Sequence, residues 1–246
     1  MDYMLVVYDY NINATLCEPM KNRIGPDIVE AYKIILTLTK TCGLKPSLQQ
    51  LDNEASAMLC EFITSNSIDF QLAPPNIHCR NAVERAIRTL KNNFVAVLCG
   101  TDPKFPMQLW DHILEQVQVT LNFLCASRIN PRLSAHAQLH GGFDFNRTPI
   151  GPLGTIITAQ NTPGKRESWA PHGSNTWYLG PASFHYRCYR AFIIETRSER
   201  IPETIKWFPA HVPMPKTASV DAATAALTDL ITAILNPAPA SPLAGI

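Results

Sequence analysis

The chain changes its hydrophobic rhythm part-way along, and that change restricts the folds open to it. Up to about Ser127, short β-prone runs alternate with stretches whose apolar residues recur every three to four positions. Beyond about Thr155 only short strand-like runs remain, separated by Gly, Pro, Asn and Ser. The first pattern is that of strands alternating with helices in an α/β layer. The second is that of a small antiparallel sheet or barrel.

Met4-Leu5-Val6-Val7-Tyr8 predicts a strand, Asp9 to Asn13 a turn, and Ala14 to Pro19 a second strand. Gly25-Pro26-Asp27 opens a helix with Ile28, Tyr32, Ile35 and Leu38 at helical spacing, and Gly43 closes it. Ser47 to Leu51 is the next expected strand. A short helix follows, with Met58, Leu59, Phe62 and Ile63 on its buried side, and then a strand from Asp69 to Ala73 stopped by Pro74-Pro75. A long helix from about Cys79 to Cys99 is expected to bury Val83, Ile87, Leu90, Phe94 and Val97. Another from Pro106 to Ser127 carries Leu109, Trp110, Ile113, Val117, Leu121 and Leu124 on its apolar stripe. Thr155 to Gln160, Thr176 to Leu179, Tyr186 to Ile194 and Glu203 to Trp207 read as short strands. The chain after Pro213 is rich in Ala, Thr and Pro, with one weak helix expected over Asp221 to Leu235 and a linker-like end from Pro237. These shifts divide the chain into an α/β part (1–148), a β-rich part (149–213) and a largely disordered tail (214–246).

Composition narrows the function classes. With 46% hydrophobic residues the chain can bury a sizeable core, and 17% charged residues argue against general disorder. A formal net charge of +1 excludes a globally basic nucleic-acid binder, so any such surface must come from local clustering. The 7 cysteines include no Cys-x-x-Cys pair, which argues against a structural zinc site; scattered through apolar segments, they read as buried free thiols of a reducing compartment. The N-terminus lacks the basic region of a signal peptide, and the apolar runs fall short of a membrane span. The expectation is an intracellular chain with no membrane partner.

Two carboxylates stand out. Asp52 ends a strand-like run, and Glu84 lies roughly thirty residues later inside a basic helix, Asn81-Ala82-Val83-Glu84-Arg85-Ala86-Ile87-Arg88-Thr89-Leu90-Lys91. Carboxylate oxygens suit a hard divalent cation, and a cation beside a phosphodiester supplies the charge that phosphoryl chemistry needs. Arg88 and Lys91 share the Glu84 face at i+4 and i+7. The structural alternatives are an Asp52 that merely forms a turn and a Glu84 that pairs with Arg88 on a solvated face. His78 reads as surface structure. Lys165-Arg166 and the Arg187 to Arg200 segment read as a solvated face.

These residues, with Leu51-Asp52-Asn53-Glu54, Leu72-Ala73-Pro74-Pro75, Ser127-Arg128-Ile129-Asn130-Pro131-Arg132-Leu133-Ser134-Ala135 and Trp177-Tyr178-Leu179-Gly180-Pro181, resemble the integrase catalytic domain of a copia-type long-terminal-repeat retrotransposon. The resemblance spans roughly residues 3 to 213. It implies an α/β ribonuclease H-like fold, with a mixed sheet flanked by helices, followed by a small antiparallel β-rich domain. It also implies DNA strand transfer with two Mg²⁺ or Mn²⁺ ions held by three acids. Asp52 matches the second acid and Glu84 the third. Arg80, Arg88 and Lys91 are the implied contacts to DNA phosphates, and Arg85 is expected to pair with neighbouring structure. The implied partners are retroelement ends, target DNA and further copies of the chain, and the implied location is the nucleus.

The sequence departs from the family pattern twice. The interval from Asp52 to Glu84 is shorter than the family's, with the loss falling just after Asp52. The run Tyr3 to Asn13 resembles the second strand of the fold and its turn, so the first strand and first acid are expected to be absent, as is the family's N-terminal zinc-binding region. Asp9 is the candidate substitute for the first acid, although an Asp in a turn commonly bonds its own backbone. The combined expectation is an integrase-like polynucleotidyl transferase, truncated and catalytically impaired. The alternatives are a non-catalytic nucleic-acid- or protein-binding remnant and a ribonuclease H-like nuclease of another family. A missing central strand would also leave strand edges exposed, and so predicts marginal stability or self-association.

Overall fold

The computed structural model describes residues 1–52, 55–73, 82–161 and 169–208, together with Leu227, Thr228, Leu230, Ile231 and Leu235. The chain divides into two units, Met1–Pro213 and Met214–Ile246. The described residues of the second unit are helical, and most of the helix expected there lies outside the described residues. The first unit is mixed α/β.

It begins with an antiparallel hairpin, β1 (Tyr3–Asp9) and β2 (Ala14–Met20), in register from Tyr3 opposite Met20 to Asp9 opposite Ala14. Helix α1 (Gly25–Thr41) follows, with Pro in its first turn and Gly43 at φ +79° just past its end. Strand β3 (Leu48–Leu51) pairs in parallel with β4 (Asp69–Leu72), and α2 (Ala57–Ser65) connects them. Ser56 starts α2 by accepting the Leu59 N–H on its hydroxyl at 3.3 Å. Two longer helices come next, α3 (Ala82–Cys99) and α4 (Trp110–Leu124), the latter entered through a 3₁₀ turn at Met107–Leu109.

The sequence leads one to expect a mixed sheet that lacks its first strand. Among the described residues the strand pairs β1–β2 and β3–β4 form two separate two-stranded sheets, and β1 and β3 are not hydrogen-bonded neighbours. A third sheet has five strands in the order β8-β7-β6-β5-β9, all antiparallel: β5 (Ile156–Gln160), β6 (Gly173–Pro181), β7 (Tyr189–Ile193), β8 (Ser198–Arg200) and β9 (Ile205–Trp207). Its longest strand, β6, is irregular between Tyr178 and Gly180, where Gly180 takes φ +144°.

One apolar core runs through α3, α4 and this sheet. Leu90, Phe94, Ile113 and Val117 pack with Leu153, Ile157, Trp177 and Tyr178. A second cluster joins β2 and α1 to a short helix, α5 (Ala135–His140), and a third joins α1 to α2.

Several details differ from the expected burial. Met58 is exposed, because only one turn of the short α2 packs inward, through Leu59 and Ile63. Leu124 is exposed because α4 ends there and the chain turns extended at Cys125. Of the expected α3 core, Leu90 and Phe94 are buried while Val83, Ile87 and Val97 are half-buried, and the unforeseen Ala86 takes the inner position. Among the described cysteines only Cys17 is buried, and Cys99 is exposed at the end of α3. Helix α5 and strand β8 were not foreseen.

Candidate metal and nucleic-acid site

Asp52 is placed by a parallel strand pair. The Ala73 N–H donates to the Leu51 carbonyl at 2.7 Å, so β3 and β4 end together. Asp52 follows directly and is exposed; its carbonyl accepts from the Ala55 N–H at 3.0 Å, in a turn that leads to the Ser56 cap.

Glu84 lies in the first turn of α3 and is half-buried. The exposed N–H groups of a helix start carry partial positive charge, which suits a carboxylate there with or without a metal. Helical spacing puts Glu84, Arg88 and Lys91 on one stripe, opposite the buried Ala86, Leu90 and Phe94. Arg88 and Lys91 are exposed, as is Arg85. Arg80, Asn53, Glu54 and His78 lie outside the described residues, as do Lys165 and Arg166.

Asp9 ends β1 and works within its own turn. One carboxylate oxygen accepts the Ile12 N–H at 2.8 Å. The tip of this hairpin is then clamped by a segment far along the chain. Asn13, at φ 64°, accepts from the Tyr8 hydroxyl at 2.6 Å and donates to the Ala126 carbonyl at 2.9 Å. The Arg128 guanidinium covers the Tyr10 ring at 4.1 Å from its centroid, and it donates to the Tyr8 hydroxyl at 2.7 Å and to the Tyr10 carbonyl. Sequence reasoning missed this clamp. The hints were Arg128 in the Ser127-to-Ala135 tract and the two tyrosines flanking Asp9.

A cavity of about 500 Å³ lies between these elements. Asp9, Leu48, Gln49, Gln50, Ala82 and Val83 border it. Asp52 and Glu84 each sit one or two residues along the chain from its walls and do not line it. The structure therefore brings together the local segments that carry the three acids, with Asp9 at the cavity and the other two just outside.

Among the described residues, no group of three or more His, Cys, Asp or Glu side chains is arranged to hold a metal ion. The donor set that remains, two hard carboxylates, fits Mg²⁺ or Mn²⁺ by its chemistry. Mg²⁺ commonly takes one or two protein carboxylates and completes its shell with waters and phosphate oxygens.

A second cluster of reactive residues joins α1 to α5. The Cys42 sulfur lies 3.4 Å from Nδ1 of His140, whose ring packs against His136, and His136 in turn meets Phe123 and Phe143 edge-on. Burial pushes the Cys42 thiol up and the His140 imidazole down. Both shifts favour neutral partners, the opposite of the thiolate–imidazolium pair that nucleophilic catalysis requires. His136 is driven down to about 4 by burial and by the neighbouring His140.

No family model matches the chain, and no curated protein matches it. Among solved structures, the chain is similar to one in a cryo-electron microscopy structure of the simian T-cell lymphotropic virus intasome in complex with the PP2A regulatory subunit B56 gamma, at 16% identity and a TM-score of 0.46, over 87% of this chain and 73% of that one.

Proposed function

We propose that the chain is an integrase-like polynucleotidyl transferase domain of retroelement type, with a ribonuclease H-like core that acts on DNA with Mg²⁺ or Mn²⁺. The observation that carries this reading is the setting of the two acids. Asp52 follows the carboxyl end of a parallel strand pair and Glu84 opens α3, each inside a motif that resembles the integrase pattern. Asp52 and Glu84 would hold the cation. When bound, it neutralises phosphate charge and lowers the pKa of an attacking water or DNA 3′-hydroxyl. Arg88 and Lys91, exposed on the Glu84 stripe, would hold the DNA backbone and set its register without reading sequence. Retroelement ends, target DNA, association with further copies and action in the nucleus belong to this same reading.

A second reading, a non-catalytic binding remnant of the fold, is supported by Asp9. One of its oxygens is committed to the Ile12 N–H, so the acid that stands in for the first catalytic position is already part of a turn. Strand transfer on a short DNA duplex with Mn²⁺, read beside calorimetric Mn²⁺ binding, separates the two. Turnover and Mn²⁺ binding that survive Asp9→Asn and are lost in Glu84→Gln support the transferase reading with a two-acid site. A folded wild-type chain that binds neither Mn²⁺ nor gives product overturns it in favour of the remnant.

A further inference from the structure

We infer that the cavity bordered by Tyr189 and Trp207 is an aromatic cage that takes the methylated ammonium head of a lysine side chain from a partner protein. This cavity shares no lining residue with the one that Asp9 borders.

Its volume is about 350 Å³. Three aromatic side chains border it: Tyr189 at the start of β7, Trp207 at the end of β9, and Phe208 next along the chain. All three are half-buried. The Tyr189 and Trp207 ring planes stand 86° apart with their centroids separated by 6.3 Å, so the two rings form a corner. Buried Tyr178 packs against both, at 6.2 Å from Tyr189 and 4.9 Å from Trp207, and its hydroxyl is fixed by Gln116 and Gly151. Gly151 leaves no space for a Cβ beside the indole, so the Trp207 ring is wedged in place. The corner is therefore built before any ligand arrives.

Charge complementarity selects the occupant. The face of an aromatic ring is electron-rich and attracts a cation, most strongly for Trp. Among the described residues, no acidic or basic side chain lines the cavity. The basic neighbours in sequence, Arg190 and Lys206, alternate away from Tyr189 and Trp207 along their strands. The Arg190 guanidinium is also tied to Glu199 at 2.6 Å and Glu115 at 2.7 Å. The rings thus have no cation of their own chain to hold. An unmodified ammonium would bring N–H donors that such walls leave unpaired, whereas methylation removes the donors and keeps the charge. The rest of the wall includes Pro149, Ile150 and Pro152, an apolar surface that suits the aliphatic stem of a lysine. The Thr155 hydroxyl is already donated to the Pro152 carbonyl at 2.9 Å. A lysine stem asks for no polar partner there, and the hydroxyl or phosphate of a choline-type molecule does.

The test uses the full chain and short dye-labelled peptides, with binding read by fluorescence anisotropy. One peptide carries trimethyl-lysine, one unmodified lysine, one the neutral analogue with carbon in place of the charged nitrogen, and one is proline-rich. The trimethyl-lysine peptide is expected to bind about tenfold or more tightly than the lysine and neutral peptides. Trp207→Leu and Phe208→Leu keep apolar bulk and remove a ring, and each is expected to weaken that binding about fivefold or more while a cooperative melting transition shows the variant folded. No saturable binding of the trimethyl-lysine peptide overturns the inference, and so does unchanged binding in a folded variant. Equal binding of the neutral analogue reduces the cavity to plain apolar burial and overturns it. Tighter binding of the proline-rich peptide assigns the aromatic walls to an extended proline segment, and choline that competes as strongly as the peptide assigns them to a free small molecule; either result overturns it too.

Discussion

The Tyr178 hydroxyl donates to Oε1 of Gln116 at 3.0 Å, and this buried bond ties β6 to α4. The same hydroxyl accepts the Gly151 N–H at 3.2 Å, and the Gln116 amide donates to the Gly151 carbonyl at 2.8 Å. Three groups from three parts of the chain thus satisfy one another inside the core. Tyr178→Phe keeps the ring packing and leaves an amide oxygen and a backbone N–H without their partner. The expected cost is about 1–3 kcal/mol. Urea unfolding measures it, and an unchanged midpoint would show that the triangle contributes nothing.

Gly151 lies directly beneath an indole. A Cβ there would fall 2.2 Å from Cη2 of Trp207, which itself packs edge-on against Tyr178 at 4.9 Å. Gly151→Ala is therefore expected to destabilise by about 1–3 kcal/mol through overpacking. Combining it with Trp207→Leu should cost less than the sum of the two single changes, because the clash disappears with the indole. Strict additivity in thermal or urea unfolding would contradict the contact.

Arg128 holds the hairpin tip through ring stacking and two hydrogen bonds. Arg128→Ala is expected to cost roughly 1–2 kcal/mol and to speed amide exchange near Ile12. Arg128→Lys should not restore it, since an ammonium cannot lie flat on Tyr10 and also reach the Tyr8 hydroxyl and the Tyr10 carbonyl. Full rescue by lysine would mean that charge alone matters.

His136 makes stability depend on pH. Its folded pKa is lowered to about 4 by burial and by His140, below the ordinary 6.5. Between those values the unfolded chain binds more protons than the folded one, so stability rises with pH across that window. The contribution is complete above about pH 6.5 and is lost as pH falls toward 4. Unfolding free energies from urea titrations at pH 7 and pH 5 should differ by roughly 1–3 kcal/mol, and His136→Gln should reduce the difference. An equal slope in the variant would place the dependence elsewhere.

On the transferase reading, Arg88 and Lys91 act on phosphates. Arg88→Ala and Lys91→Ala are each expected to weaken duplex binding irrespective of sequence and to lower the salt slope by about 0.9. Fluorescence anisotropy at several salt concentrations checks this. Loss of affinity with an unchanged slope would argue for a packing effect.

Local signals carried much of the fold. The Gly25-Pro26-Asp27 start of α1, the strand into Asp52, the strand over residues 69–72 and the apolar spacing of α3 and α4 all lie in short windows where periodicity and caps act directly. Helix α5 escaped notice because it has only 6 residues, too few to display a period, although Ser134 caps it by accepting the Ala137 N–H at 3.1 Å. Strand β8 has 3 residues and is charged and exposed; its pairing with β7, where Arg190 meets Glu199 at 2.6 Å, forms only once both strands are in place.

The sequence by itself determined the order of the longer elements, the strand end that presents Asp52 and the helical stripe shared by Glu84, Arg88 and Lys91, because each depends on neighbours within a few positions. Tertiary structure alone decided the rest. Asp9 became a turn acid because the Ile12 N–H closes onto it, Asn122 and Gln118 sealed one edge of the hairpin from about a hundred residues away, and the edges of β1 and β3 were left flanking a cavity. Which strand edges are satisfied is set by contacts between distant segments, and no local pattern of residues encodes it.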